Sequence, residues 1–204
     1  MSVKTENERK FLVRFMPPIA AHGRMAGDRA GEPAAVLLRR TPMRQIYIGR
    51  GARASVRVRQ TDDRYILTLK GPTRGAGRRE FEYDLPPEEG AAMMTSLGDR
   101  PPIEKERLVF EENGLVWELD VFGGLNDGLL LAELELPEGE AGPPADRLPD
   151  WVGPEVTHDR RFYNSFLFER PFATWGTDYA ALLAATAAEA AQPRRSRTSA
   201  HSRA

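Results

Sequence analysis

Between Arg44 and Leu136 apolar and charged residues alternate, in run after run, with a period of two. RQIYIG, ASVRVRQ, RYILTLK, REFEYDL, IEKERLVF, LVWELDVF and LLLAELEL carry alternating stretches such as Val56-Arg57-Val58-Arg59, Phe81-Glu82-Tyr83 and Trp117-Glu118-Leu119-Asp120. Successive strand side chains point to opposite faces, so the pattern predicts strands with one apolar and one charged face. Turn signals divide the runs: Thr61-Asp62-Asp63, Gly71-Pro72, Glu112-Asn113-Gly114 and Asn126-Asp127-Gly128. A shorter charged run, Val3 to Val13, predicts a further strand at the N-terminal end. From about Met16 to Met43 the chain is rich in Gly, Ala, Pro and Arg with weak periodicity, and reads as a loop or partly helical insertion. One helix interrupts the strands, opened by Pro86-Pro87-Glu88-Glu89 and ended by Gly98. After EVTHDRRFYNSFLFERP an Ala-rich helix is expected over 177–192. The basic, Ser-rich 193–204 lacks apolar anchors and is expected to be disordered. The sum is mainly β with α, as an antiparallel sandwich or barrel.

The chain's 204 residues suffice for one substantial domain without covalent staples. Its formal net charge of -1 offers no overall field for nucleic acid or an anionic membrane. There is no cysteine, which excludes disulfides, thiolate ligands and a cysteine nucleophile. The N-terminal stretch lacks the apolar run of a signal peptide, no stretch is long enough to span a bilayer, and the chain reads as cytoplasmic. His22, His158 and His201 are not at metal-ligand spacing, Ser165 has no nucleophile context, and Trp117, Trp151 and Trp175 read as packing residues. Gly75-Ala76-Gly77 reads as a hairpin loop, for no phosphate-loop pattern surrounds it.

Charge changes this picture because it is sorted by strand. Glu6, Glu8 and Lys10 share a face, as do Arg57 and Arg59, and Thr68 and Lys70. Arg78, Glu80 and Glu82 share one, as do Lys105 and Arg107, Glu118 and Asp120, and Glu133 and Glu135. A solvated face on any single strand would explain its own charges. The whole set, almost exclusively Arg, Lys, Glu and Asp, fits better on a shared inner surface. Glu6, Glu8, Asp120, Glu133 and Glu135 are hard oxygen donors of the kind Mg²⁺ or Mn²⁺ takes. Lys10, Arg57, Arg59, Lys70, Arg78, Lys105 and Arg107 suit phosphate oxygens. Buried without a ligand, such charges must be wet, metal-loaded or cross-paired.

Glu6-Asn7-Glu8-Arg9-Lys10 resembles the ExExK signature of CYTH proteins, the triphosphate tunnel metalloenzymes. The resemblance continues in order through Gln45-Ile46-Tyr47-Ile48, Arg57-Val58-Arg59, Thr68-Leu69-Lys70, Arg78-Arg79-Glu80-Phe81-Glu82, Lys105-Glu106-Arg107, Asp120 and Glu133-Leu134-Glu135. It closes with Glu155-Val156-Thr157-His158-Asp159, Arg161, Phe162 and Asn164. It implies an eight-stranded closed antiparallel barrel over 1–176, a tunnel flanked by helices with a triphosphate along its axis. Glu6, Glu8, Asp120, Glu133 and Glu135 would hold Mg²⁺ or Mn²⁺. Lys10, Arg57, Arg59, Lys70 and Arg107 would grip the substrate, joined by Arg78 and Lys105 on charge, and Lys10 and Lys105 would form a lysine pair that activates water. The implied activity is hydrolysis of a triphosphate, with inorganic tripolyphosphate preferred. The alternatives are a class IV-like adenylate cyclase, or a non-catalytic module binding polyphosphate or nucleotide. A small-molecule triphosphate is the expected partner; neither nucleic acid nor membrane is, and a homodimer is left open.

Overall fold

A computed structural model describes residues 7–20, 35–51, 54–62, 64–74, 77–137, 140 and 142–191. The alternating runs fold as expected into strands: β1 (Glu8–Val13), β3 (Ala35–Arg50), β4 (Ser55–Thr61), β5 (Arg64–Arg74), β6 (Gly77–Leu85), β7 (Ile103–Glu112), β8 (Leu115–Gly123) and β9 (Leu130–Glu135). Two more join them, β2 (Ile19–Ala20) and β10 (Val152–Glu155). They form a single sheet in the order β10-β1-β9-β8-β7-β3-β4-β5-β6, with β2 parallel beside β3 and the path otherwise antiparallel. The Asn113-Gly114 signal makes the β7–β8 hairpin turn, with both residues at positive φ of 55° and 74°.

The expected closed barrel is not found. Among the described residues the two edge strands, β10 and β6, do not pair, and the sheet is open but strongly curved. The composition of β10 explains its edge position: Val-Gly-Pro-Glu is short, and Pro154 has no N–H to give a further neighbour. The C-terminal helix packs against this strand. The expected loop over 16–43 is also corrected in part, because β3 begins at Ala35 and runs against β7 from Val36↔Glu111 to Gln45↔Ile103. A bulge between Leu37 and Arg39 breaks the alternation that would have revealed it. Pro42 is tolerated because β4 joins β3 only from Met43 onward. Residues 21–34 of that segment, like the 193–204 tail, lie outside the described residues.

α1 (Pro87–Ser96) starts with Pro at its first position and Glu88 and Glu89 in the first turn. Its buried Gly90 lies flat on Tyr65 of β5, where any Cβ would overlap the ring. α2 is Asn164–Glu169 and α3 is Tyr179–Ala191. Asp178 caps α3, its Oδ1 accepting from Ala181 N at 2.8 Å. α3 packs on β10, and the Tyr179 hydroxyl locks it to the sheet. That oxygen accepts from Val13 N at 2.7 Å and faces the carbonyls of Val13 and Leu130 at 2.8 and 3.0 Å.

The convex face of β1, β9, β8 and β7 is covered by an apolar cluster of Phe11, Phe110, Trp117, Leu119, Leu134 and Trp151. The concave face is apolar only at one end. There Leu12, Tyr47, Ile103, Phe122 and Leu131, on the parity of the charged residues, join a second cluster with Leu167 and Phe168 of α2, and Phe162 and Phe172. This gives the concavity a dry floor. Above it every strand turns polar.

Candidate active site

The concave face encloses a cavity of about 310 Å³, lined by Glu8, Lys10, Met43, Gln45, Arg57, Arg59, Lys70, Glu80, Glu82, Lys105, Arg107, Glu118, Glu133 and Glu135, with Asn7, Leu136 and Asn164. Of the face-sharing groups read from the alternation, Glu8 with Lys10, Arg57 with Arg59, Lys70, Glu80 with Glu82, Lys105 with Arg107, Glu118, and Glu133 with Glu135 meet on this surface, while Thr68 and Asp120 lie behind it. Glu6 lies outside the described residues, as does the side chain of Arg78, whose backbone is in β6.

Strand order groups the charges without separating them fully, since Lys10 sits among the carboxylates and Glu80 and Glu82 of β6 lie beside the cations. On one side β1, β9 and β8 bring Glu8, Glu133, Glu135 and Glu118 together, through the pairings Glu8↔Glu135 and Glu118↔Glu133. On the other, β7 offers Lys105 and Arg107, and β4 and β5 offer Arg57, Arg59 and Lys70. Between the cationic strands β7 and β4 runs β3, whose cavity residues Met43 and Gln45 are neutral.

The carboxylate side is tightly cross-paired. Lys10 Nζ lies 2.8 Å from Glu133 Oε1 and 3.6 Å from Glu8. Arg107 donates to Asp120 through Nε and Nη2, both at 2.7 Å, and its Nη2 also reaches Glu133 at 2.8 Å. Its Nη1 bonds Glu118. Lys105, with a side chain 3% exposed, bonds the 1%-exposed Asp120 and sits over the Phe122 ring. Asp120 therefore has both oxygens engaged by cations and lies behind the surface; the carboxylate presented to the cavity from β8 is Glu118. Sequence reasoning assigned that place to Asp120, although Glu118 two residues earlier shares its face.

The electrostatics separate the two lysines. Burial pushes Lys105 below the ordinary lysine value, aided by the nearby Arg107 charge and only partly opposed by Asp120. Lys10 is buried too, but Glu133 and Glu8 outweigh that burial and hold it above the usual range. Glu133 is likewise desolvated, yet Lys10, Arg107 and Lys105 hold it well below the usual carboxylate range. Burial pushes Glu118 up, and the like charges of Glu133, Glu135 and Asp120 add to this against the pull of Arg107.

The opposite side is loosely paired. Arg57 stands 3.8 and 3.9 Å from Glu80 and Glu82, and Arg59 is 3.4 Å from Glu82, which Thr68 also bonds at 3.2 Å. Lys70 is closer to Glu80, at 3.1 Å. Among the described residues the Nε atoms of Arg57 and Arg59 and the Nε2 of Gln45 are buried with no hydrogen-bond partner. Burial and the adjacent Arg57 charge depress Arg59 below the usual guanidinium value.

The donor chemistry suits a divalent metal: Glu8, Glu118, Glu133 and Glu135 are hard oxygen ligands, and their mutual repulsion, felt at Glu118, would be relieved by a cation. Among the described residues no three such side chains already converge to hold one, because Lys10 and Arg107 occupy the oxygens.

The site is thus an antiparallel sheet that gathers carboxylates and cations around one trough. The sequence model for the CYTH domain matches residues 4–163, and the chain belongs to that family. It is 43% identical over 129 residues to an inorganic triphosphatase of Acetivibrio thermocellus, covering 63% of this chain and 81% of that protein. To an inorganic triphosphatase of Nitrosomonas europaea it is 33% identical over 165 residues, 80% of this chain and 96% of the relative. The crystal structure of an inorganic triphosphatase aligns at a TM-score of 0.56 with 30% identity, covering 80% of this chain and 94% of that one. Among the described residues no helix is long and apolar enough to cross a membrane.

Proposed function

We propose that this protein hydrolyses inorganic tripolyphosphate in the trough, with Mg²⁺ or Mn²⁺ held on the carboxylate side. The observation that carries the reading is the imbalance between the two sides. Carboxylates and cations around Arg107 satisfy one another, whereas among the described residues Arg57 and Arg59 keep buried Nε–H groups without acceptors. An unmet buried donor costs about 1–3 kcal/mol, so such a set is kept for a ligand that accepts from it. A phosphate chain supplies those acceptors. The relatives named as inorganic triphosphatases support the same choice. Among the described residues the lining has no aromatic side chain on which an adenine could stack, which favours the inorganic chain over a nucleotide.

In this mechanism Arg57, Arg59 and Lys70 fix the non-reacting phosphates. Arg107 and Lys10 face the charge that develops at the cleaved terminus. Glu8, Glu118, Glu133 and Glu135 would hold the metal, joined by Glu6 from the resemblance; the metal supplies Lewis-acid neutralisation of phosphate charge. Asp120 acts by orienting Lys105 and Arg107. Water attacks the terminal phosphorus, the bridging P–O bond breaks, and phosphate and pyrophosphate leave. Lys10 and Lys105 are the lysine pair assigned to help activate water; burial lowers the pKa of Lys105, whereas Glu133 and Glu8 raise that of Lys10. Arg78 is assigned to the substrate by the resemblance alone.

The test is phosphate release from tripolyphosphate with Mg²⁺ and separately Mn²⁺, for wild type and Glu133→Gln. Release by wild type that falls by a factor of about 100 or more in the variant supports the reading. A wild type that releases no phosphate with either metal overturns it.

A further inference from the structure

We propose that Gln45 is a substrate-gripping residue, a neutral amide donor that completes, with the Nε–H groups of Arg57 and Arg59, a three-donor pocket for one phosphate group of the chain. The inference rests on the triphosphate reading above and deepens it. Gln45 is 2% exposed and lines the cavity, yet among the described residues its Nε2 has no hydrogen-bond partner. It stands directly opposite Arg59 in the β3–β4 ladder, and Tyr47, two residues on, stands opposite Arg57. The three unmet donors therefore belong to neighbouring positions of two adjacent strands, on the face that looks into the trough.

The position explains why the donor is an amide. β3 lies between β7, with Lys105 and Arg107, and β4, with Arg57 and Arg59. A further cation at position 45 would join two neighbouring guanidiniums, of which Arg59 is depressed by burial and, beyond that, by the charge of Arg57. A carboxylate there would pair with Arg59 and compete with the ligand. A glutamine adds a hydrogen bond to a phosphate oxygen without adding charge of either sign. On the other side Gln45 faces Ile103, part of the dry floor.

The test compares wild type with Gln45→Met, Gln45→Asn and Gln45→Glu in two assays: steady-state hydrolysis of tripolyphosphate, and thermal stabilisation by tripolyphosphate in EDTA. Gln45→Met keeps the volume and removes the donor. It is expected to raise KM for tripolyphosphate roughly 10- to 100-fold with kcat changed only a few-fold. Without ligand its melting temperature should equal or exceed that of wild type, since an unmet buried donor has been removed. Gln45→Asn should recover part of the affinity, and Gln45→Glu should bind worst of all. A Gln45→Met protein with unchanged KM and unchanged ligand stabilisation overturns the assignment. So does one whose ligand-free melting temperature falls, because that marks a structural partner for the amide. Should Gln45→Met not fold, the same affinity order of wild type, Asn and Glu decides. A wild type that is stabilised by tripolyphosphate but does not turn it over, with stabilisation lost in Gln45→Met, sinks the hydrolase reading and keeps this one. A wild type that is neither stabilised nor active overturns both.

Discussion

Replacing Asp120 by Asn leaves the shape of the β8 strand intact and removes a single charge, so its effect follows from what that charge faces. Asp120 is 1% exposed and bonds Lys105 and Arg107. Arg107 has other acceptors in Glu118 and Glu133, so it loses part of its support. Lys105 has no second ion pair among the described residues; with Asp120 gone, its 3%-exposed ammonium is stranded over Phe122. Breaking a buried pair on one side costs about 3–5 kcal/mol, because the remaining charge is uncompensated. The loss should shrink in Asp120→Asn/Lys105→Met, where an apolar side chain of similar length replaces the orphan. Raising the pH should help the single variant as well. The buried lysine of this variant has a folded-state pKa below its unfolded one, so the unfolded chain binds more protons between the two values and stability climbs with pH. Urea denaturation of wild type, the single and the double variant at pH 7 and 9 gives every term. An Asp120→Asn protein as stable as wild type, or a double variant no more stable than the single, would refute the reasoning.

Two further outcomes test the scaffold. Gly90→Ala would ordinarily gain about 1 kcal/mol of helix propensity. Overlap with Tyr65 outweighs this at about 1–3 kcal/mol or more, so calorimetry should show the melting temperature lowered by a few degrees. Tyr179 is pushed up to about 12 by burial, so between pH 10 and 12 the folded protein keeps a proton the unfolded chain has lost. Stability present below pH 10 is therefore lost by roughly 2–3 kcal/mol across that window. Tyr179→Phe should be less stable at neutral pH by about 1–3 kcal/mol, with Val13 N left without its acceptor, and should show a shallower decline above pH 10 in denaturant melts.

How much of this was legible in the sequence depends on range. Facing groups such as Arg57 with Arg59, or Glu133 with Glu135, follow from the period of two and needed no partner strand. Which strands adjoin is not a local property: that Lys10 meets Glu133, or that Asp120 meets Lys105 and Arg107, is set by register across the sheet. β3 before Arg44 was hidden by Pro42 and the bulge at Leu37/Arg39, each of which interrupts alternation. Gln45 was visible only as part of a family-like element, since a single uncharged residue on a strand carries no charge pattern. The closed barrel was an inference from the resemblance, and the short Pro-bearing β10 edge that departs from it has too few residues to show periodicity.

The apolar floor built by Leu12, Tyr47, Ile103, Phe122 and Leu131 against α2 turns the trough into a depth gauge. On the proposed reading, a linear polyanion entering end-on would be halted where the last charged layer meets these apolar side chains, and the bond acted on would be set by distance from that stop.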